Sequence, residues 1–315
     1  MRPIRTKNIL PLVLPLLAAA ALFAASEEGS APPLAPARPV VDRYWGVDVI
    51  DDYRYMESLD DPEVVEWMKG QDDHARRRLD AFPGREALAE RVKDLMRAET
   101  SSYYGIVLRG GVTFAIKRQP PKQQAFLVVL GSLDKKDDER ILVDPNVLDP
   151  EGGVSIDFFV PSPSGRCVAV SLSEHGTEDG TLFVYRVGTG EPLPDEIPRV
   201  NGGTAGGSAA WTASEEAIYY TRYPYPGERP KEDLPFYQQI WLHRLGTDVS
   251  EDDYVLGESF PRIAEIAFVS SGDGTGILAR VSNGDGGEHE FWLLREDGSW
   301  TRFARFEDGI EEARF

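Results

Sequence analysis

The sequence is poor in cysteine and in basic side chains, and each shortage excludes a class of protein. Cys167 is the only cysteine among 315 residues, so no intramolecular disulfide can stabilise the chain. Lysine and arginine total 34 against 53 aspartates and glutamates, which gives a formal net charge of −19. Nucleic acids and anionic membranes bind basic surfaces, so neither is an expected partner. The apolar neighbours of Cys167 predict a buried structural thiol.

Patterns that would indicate a metal site are also missing. The four histidines lack the short spacing of metal ligands, and surface or strand-edge positions are expected for all of them: His74, His175, His243 and His289. The acidic clusters Asp285/Glu288 and 251–253 lack the alternating spacing of a calcium-binding loop, which favours solvated turns. We therefore predict no metal or cofactor.

The glycine-rich runs could be mistaken for functional loops. Runs 202–207, 272–276 and 284–287 do not lie between a strand and a helix, so they predict turns and not phosphate-binding loops. The segment 206–210 superficially resembles a nucleophile elbow around Ser208. An elbow has a helix behind its serine, whereas a strand pattern follows here. A linker is expected, and we predict no catalytic residue in this chain.

The N-terminus has the pattern of a targeting segment. Three basic residues precede an apolar run, and small residues follow at about position 26, which predicts a secretory signal over residues 1–26 and a periplasmic or secreted protein. An uncleaved membrane anchor is the alternative, although the run is short for a membrane span and contains two prolines. No membrane span is expected once the signal is removed. Residues 27–39, rich in serine, alanine and proline, predict a flexible tether.

Residues 40–100 predict an extended arm followed by two helices. Aromatic and β-branched residues dominate up to Glu57, which favours extended structure. Asp61 then offers a helix N-cap and Pro62 a first helical residue, and the first helix is expected to end before Pro83. Apolar residues spaced by three and four predict a second helix after Gly84.

Residues 101–315 predict an all-β region. Short β-rich runs alternate with turn residues, and twelve strands are expected: 112–117, 125–130, 140–143, 155–160, 167–172, 182–187, 217–222, 240–245, 263–269, 277–281, 290–294 and 300–303. An aromatic strand end before a small or acidic turn recurs at Phe159, Trp211 and Phe268. Repeats of roughly 50 residues are typical of β-propeller blades. A β-sandwich with coincidental spacing is the alternative.

The repeats divide this region into four predicted blades and the start of a fifth. The blades are expected at 103–145, 155–199, 209–260 and 263–305, and residues 306–315 would begin another. The fold class is thus mainly β, an incomplete β-propeller of about four to five blades preceded by an extended arm and two α-helices. A propeller closes when its last blade meets its first, and the repeats run out before that point.

Several motifs resemble the N-terminal portion of the prolyl oligopeptidase family of serine peptidases. Val41–Val47 followed by Asp51–Glu57 resembles the family's opening segment, although Asp52, Tyr55 and Met56 replace its proline, tryptophan and leucine. The remaining similar segments follow in the family's order: Val143–Leu148, Ser162–Arg166, Glu191–Asp195, Ala210–Thr212 and Leu245–Asp248.

The resemblance implies a seven-bladed propeller that covers an α/β-hydrolase domain and admits only short proline-containing peptides. Nothing in this sequence resembles that hydrolase domain or its catalytic triad, so this chain alone is expected to be inactive as a serine endopeptidase. A hydrolase domain on another chain is then an expected partner. The alternative is a non-enzymatic periplasmic propeller that binds other proteins.

Overall fold

The computed structural model describes residues 31–97, 100–131 and 138–315. The predicted signal lies outside these residues. The chain divides into two compact units, with the boundary after Met96, and each unit is described separately below. Within the described ranges, no helix is long and apolar enough to cross a membrane.

The N-terminal unit begins with the extended arm that the sequence predicts. Strands β1 (Val40–Tyr44) and β2 (Val47–Asp51) form an antiparallel hairpin, and a 3₁₀ turn follows at Arg54–Glu57. The two residues of the hairpin loop, Trp45 and Gly46, both have positive φ. A two-residue loop of this kind matches the twist of the strands, and it leaves the Trp45 side chain fully exposed.

Two helices complete this unit, as predicted. Helix α1 covers Pro62–Asp80, and the Asp61 carboxylate caps it by accepting a 2.9 Å hydrogen bond from the Glu63 N–H. Helix α2 covers Arg85–Met96. Val64 is the one residue of α1 that is buried, and α2 has none.

The second half of the predicted tether packs within this unit. The Pro33 carbonyl accepts hydrogen bonds from Trp67 Nε1 at 3.0 Å and from Gln71 Nε2 at 2.5 Å. The Tyr55 hydroxyl donates to the Pro36 carbonyl at 3.0 Å. Among the described residues of the tether, packing contacts are therefore present from Pro33 on, ahead of the Val40 that composition alone indicates. Backbone carbonyls supply them, and these are present whatever the side chains are.

The C-terminal unit contains four antiparallel four-stranded sheets among its described residues. Each sheet is formed by four strands consecutive in sequence, and we call the sheets blades 1 to 4. Blade 1 has β3 (Ser102–Arg109), β4 (Val112–Arg118), β5 (Phe126–Leu130) and β6 (Arg140–Val143). Blade 2 has β7 (Val154–Pro161), β8 (Cys167–Glu174), β9 (Gly180–Arg186) and β10 (Pro192–Asn201). The short helix α3 (Pro145–Leu148) lies between blades 1 and 2.

Blades 3 and 4 repeat this order. Blade 3 has β11 (Ala209–Trp211), β12 (Ala217–Arg222), β13 (Gln239–Arg244) and β14 (Asp253–Leu256). Blade 4 has β15 (Ala264–Ser270), β16 (Ile277–Asn283), β17 (His289–Leu294) and β18 (Trp300–Ala304). All twelve predicted strands and the four predicted blades are present. Residues 306–308 form a 3₁₀ turn, and the structure has no further strand among the described residues after Ala304.

The recurring sequence motif corresponds to one turn between the first two strands of a blade. In blades 2, 3 and 4 this turn closes through the same pair of backbone hydrogen bonds, for example from Thr212 N–H to Ala217 C=O and from Glu215 N–H to Thr212 C=O. The fourth residue of each turn has positive φ: Gly165, Glu215 and Gly274. The same conformation in all three turns explains why small and acidic residues recur at this spacing.

The hydrophobic cores lie between successive blades. One core joins blades 1 and 2, a second joins blades 2 and 3, and a third joins blades 3 and 4. The outward faces of the end blades are buried as well: Phe126 and Val128 in blade 1, Leu278 and Phe291 in blade 4. In blade 4, Ala313 packs against this face, so the residues after β18 help to cover it.

Candidate functional site

His243 departs from the surface position that the sequence predicts for every histidine. It lies on β13, the third strand of blade 3, and its side chain is 0% exposed. His74 lies on α1, His175 in the turn after β8, and His289 at the start of β17. The prediction is therefore wrong for His243. Its partners are 9 and 48 residues away in sequence, so no short motif indicates them.

The imidazole of His243 joins two blades through two buried carboxylates. Nδ1 lies 2.7 Å from Asp252 Oδ1, just before β14 of the same blade. Nε2 lies 3.0 Å from Asp195 Oδ1, on β10 of blade 2. The Tyr220 hydroxyl donates to Asp252 Oδ2 at 2.6 Å, and the Gly246 N–H donates to Asp195 Oδ1 at 2.5 Å. We call these side chains the outer cluster: Asp195, Tyr220, His243 and Asp252.

Opposing effects determine the ionisation of the outer cluster. Burial lowers the pKa of His243, but hydrogen bonds to Asp252 and Asp195 outweigh it and raise the pKa above its ordinary value. Burial, together with the hydrogen bond to Asp252, also raises the pKa of Tyr220. The imidazolium form of His243 is therefore favoured, because a buried cation between two carboxylates is compensated.

Asp252 corrects the interpretation of the acidic run 251–253 as a solvated turn. Its side chain is 2% exposed and holds His243, whereas Asp253 is half exposed and pairs with Arg244 at 2.7 Å. One acidic residue of the run thus enters the interface between blades and a neighbour remains in solvent. No group of potential metal ligands is found among the described residues.

A second polar contact joins blades 2 and 3 at their first turns. Glu215 of blade 3 accepts hydrogen bonds from the hydroxyl of Ser164 at 2.7 Å and from that of Ser162 at 3.2 Å. It also accepts one from the Ser164 N–H. Burial raises the pKa of Glu215, but these hydrogen bonds outweigh it, so the net effect is a lowered pKa. We call Ser162, Ser164 and Glu215 the inner cluster.

Apolar packing supplements the two clusters at the interface between blades 2 and 3. Leu182, Ile197, Ile218 and Trp211 are buried in the core that joins blades 2 and 3. The indole N–H of Trp211 donates to the Val160 carbonyl at 2.8 Å. This bond satisfies a backbone group of β7, which is an edge strand of blade 2.

Cys167 lies at the same interface and is partly buried. Burial raises the pKa of its thiol, although the nearby Arg186 opposes this. A raised pKa leaves little thiolate near neutral pH, so the group is a weak nucleophile. The predicted structural thiol is thus less buried than the sequence indicates.

The elbow-like segment has the structure of a linker. The Ser208 carbonyl accepts from the Thr221 N–H at 2.9 Å, and its hydroxyl accepts from the Phe268 N–H at 2.9 Å. Strand β11 follows it directly, with no helix. Both nitrogens of His243 are occupied by carboxylates, so among the described residues that imidazole has no serine or cysteine to activate.

A cleft of about 950 Å³ lies along the interface between blades 2 and 3. Its lining includes Ser164 and Glu215 of the inner cluster, Asp195 of the outer cluster, and Cys167. The side chains in its wall can fix the separation of two blades. They contain no pairing of a base with an activated nucleophile, which covalent catalysis requires.

Comparison with known proteins places this arrangement in a family. The model of the prolyl oligopeptidase N-terminal β-propeller domain matches residues 32–309. The prolyl endopeptidase of Elizabethkingia meningoseptica is 23% identical over 253 residues, which cover 78% of this chain and 34% of that protein. A prolyl oligopeptidase of Omphalotus olearius, ophP, is 25% identical over 234 residues, which cover 66% of this chain and 30% of that protein.

Solved structures give the same result for the fold. A structure from a study of two prolyl endopeptidases has a TM-score of 0.76 and 29% identity, covering 87% of this chain and 40% of its own. Prolyl oligopeptidase B of Galerina marginata, solved with a 35mer hydrolysis and macrocyclization substrate, has a TM-score of 0.73 and 22% identity, covering 87% of this chain and 42% of its own. The chain spans about a third of the length of the curated relatives it matches.

Proposed function

This chain belongs to the prolyl oligopeptidase family through its N-terminal β-propeller domain, and from that membership we propose that it controls access to an exported peptidase. In this proposal the propeller admits short proline-containing peptides and excludes folded proteins. The observation that carries it is the family match over residues 32–309, together with a structural match to a prolyl endopeptidase that covers 87% of the chain.

The contacts between blades supply a physical basis for such control. The Trp211 indole joins the first strands of blades 2 and 3 through a hydrogen bond. Glu215 joins the turns beside those strands in the same way. If peptides pass along the first strands of the blades, the separation between the blades limits the size of the peptide that can enter. The outer cluster joins the same two blades through the contact between His243 and Asp195.

Catalysis in this proposal comes from an α/β-hydrolase domain outside these 315 residues, either on the same polypeptide or on another. Among the described residues one histidine contacts a serine: His289 Nδ1 lies 3.0 Å from Ser282 Oγ in blade 4. No carboxylate of the described residues forms a hydrogen bond with that imidazole, so it lacks the third group of a catalytic triad. Export in this proposal rests on the basic and apolar N-terminal segment of the sequence. The acidic balance favours solubility after export.

The first experiment tests where catalysis resides. The purified 315-residue chain is incubated with a fluorogenic proline-containing peptide, with the Ser208→Ala variant as a matched control. No turnover is expected from either protein. Cleavage by the parent chain that disappears in Ser208→Ala would overturn the assignment of catalysis to another domain.

The second experiment tests the proposed partner and location. A tagged chain is isolated from the periplasm and the medium of the producing cell, and the proteins bound to it are identified. We expect an α/β-hydrolase, continuous with the propeller or separate from it. Retention in the cytoplasm would contradict export, and reproducible isolation with a different partner and no hydrolase would support a non-enzymatic binding protein instead.

A further inference from the structure

Blade 2 carries a second cavity, which shares Leu193, Pro194 and Asp195 of β10 with the cleft between blades 2 and 3. It has a volume of about 810 Å³, within the range of sites that bind small molecules or peptide side chains. The walls come from β8, β9 and β10, from Val154 on β7 and from Leu148 at the end of helix α3. We call it the rim cavity, because β10 is an edge strand of the blade.

The floor of the rim cavity is apolar. Leu172, Phe183 and Leu193 line it together with Val154 and Leu148. Leu148 is 53% exposed, so its apolar side chain has little cover from the described residues. A ligand with an apolar body would gain free energy by covering these side chains.

The rim of the cavity is acidic. Glu174, Asp179 and Glu196 line it, and its lining contains no lysine or arginine. Arg199 approaches Asp179, but only to 3.9 Å. The side chains of Glu174 and Glu196 form no hydrogen bond or ion pair with the described residues. Uncompensated carboxylates around an apolar floor attract a cation, and the net charge of −19 adds to that attraction.

A buried carboxylate oxygen in this cavity has no partner: Asp195 lines the cavity, and its Oδ2 atom is buried and forms no hydrogen bond with any described residue. Tyr185 lines the cavity and is 8% exposed. Its hydroxyl makes no hydrogen bond with any described residue. Burial raises the pKa of Tyr185, so it stays protonated and can donate. Buried polar atoms in proteins are normally hydrogen-bonded, so the unpaired Asp195 oxygen indicates a donor supplied by a ligand, and the Tyr185 hydroxyl is available to donate to the same ligand.

Strand β10 adds a sheet edge to the wall, although three of its residues are prolines without an N–H. It is an edge strand, paired with β9 on one side, and edge strands accept extended peptides through main-chain hydrogen bonds. From these observations we propose that the rim cavity binds an extended peptide segment in which a lysine or arginine lies beside apolar side chains. The apolar side chains occupy the floor, the cation lies among the rim carboxylates, and a peptide carbonyl accepts from Tyr185.

The test uses a fluorescein-labelled hexapeptide of alternating leucine and lysine, with a leucine–glutamate hexapeptide as its counterpart. Fluorescence anisotropy measures binding of each to the full 315-residue chain. The basic peptide is expected to bind and the acidic peptide is not. Binding should weaken as the salt concentration rises from about 0.05 M to about 0.5 M, because exposed charges are screened.

Variants of the cavity identify the site. Glu174→Gln/Glu196→Gln should weaken binding about fivefold to tenfold, and Tyr185→Phe about threefold to tenfold. The matched control is Glu258→Gln/Glu296→Gln, which removes the same charge from exposed positions outside the cavity and should leave affinity within about twofold. Circular dichroism verifies that each variant is folded.

Three results would overturn the proposal. They are no binding of the basic peptide, equal binding of the acidic peptide, and equal weakening by the cavity variant and the control variant. If Tyr185→Phe fails to fold, the double glutamine variant still decides the question, because its two side chains lie in solvent.

Discussion

The interface between blades 2 and 3 and the interface between blades 3 and 4 use different chemistry for the same task. At the first, His243 lies between two buried carboxylates from two blades. At the second, the neutral side chain of Gln238 accepts from the Ile266 N–H at 2.9 Å and donates to the Gly206 carbonyl at 3.0 Å. Both His243 and Gln238 are 0% exposed.

The difference shows that blade contacts can be equally buried and yet respond differently to pH. A glutamine amide has no ionisation near neutral pH, so the contact between blades 3 and 4 keeps its strength. The aromatic pair Tyr219 and Trp300, 5.4 Å apart and nearly perpendicular, adds further neutral packing there. The contact between blades 2 and 3 depends on the charge of one imidazole.

The largest expected effect comes from removing that imidazole. His243→Ala leaves Asp195 and Asp252 buried without their cation, which should lower the free energy of unfolding by about 3–5 kcal/mol. Urea denaturation at pH 6 measures this loss. His289→Ala is the control, since that ring is only partly buried and its one hydrogen bond among the described residues is with Ser282. Equal losses of unfolding free energy for His243→Ala and His289→Ala would contradict a larger contribution of His243 to stability.

The same variant tests the pH response. The pKa of His243 is raised on folding, so its stabilisation is fully present below the unfolded value of about 6.5 and is lost as pH rises through the folded value. The gap in unfolding free energy between the parent chain and His243→Ala should therefore narrow from pH 6 to pH 9. A difference in unfolding free energy that stays constant or increases over this range would contradict a charged His243 side chain.

Removing Gln238, the neutral contact between blades 3 and 4, should lower the free energy of unfolding by less than removing His243. This loss should not depend on pH. Gln238→Ala leaves the buried Ile266 N–H without an acceptor, which should cost about 1–3 kcal/mol. The loss should be the same at pH 6 and pH 9. Gln239→Ala, at the next residue, removes a side chain that has no hydrogen bond with the described residues, and it should cost much less. A pH-dependent loss for Gln238→Ala would break the comparison between the two interfaces.

The smallest expected effect is at the inner cluster. Glu215→Gln removes the charge and replaces one of the two accepting carboxylate oxygens with an NH₂ donor, which should cost about 1 kcal/mol. Because the pKa of Glu215 is lowered on folding, its stabilisation is present above about pH 4.3 and is lost as pH falls through the folded value. The unfolding free energies of the parent chain and of Glu215→Gln should therefore converge as the pH falls through the folded pKa of Glu215. Glu216→Gln, one residue away and exposed, should show no such convergence.

Local sequence patterns predict most of the fold. Alternating apolar residues and turn residues identify twelve strands, and Asp61 with Pro62 identifies the start of α1. Six strands have no separate prediction: β1 and β2 lie in the predicted extended arm, and β3 lies in the predicted first blade. The other three have weak local signals, since β10 contains three prolines, and β11 and β14 are three and four residues long. Their pairing comes from the neighbouring strands, so tertiary context outweighs local propensity.

The interface clusters depend on contacts that no local pattern contains. His243 meets Asp195 across 48 residues, and Glu215 meets Ser164 across 51. Burial of these groups follows from how blades pack against each other, which the sequence indicates only through the repeat. The family resemblance predicts the propeller, and the geometry of this chain adds which side chains hold its blades.

Two glycines in neighbouring blades bring backbone against backbone. A Cβ atom on Gly110 would lie 1.8 Å from the Ser164 carbonyl oxygen, and one on Gly165 would lie 2.6 Å from that of Arg109. A methyl group at either position would push the first turns of blades 1 and 2 apart. Strands in a sheet are about 4.8 Å apart, so a small tilt at the first turn grows with each strand and is greatest at β10. The close contact of these two turns therefore limits the angle between blades 1 and 2.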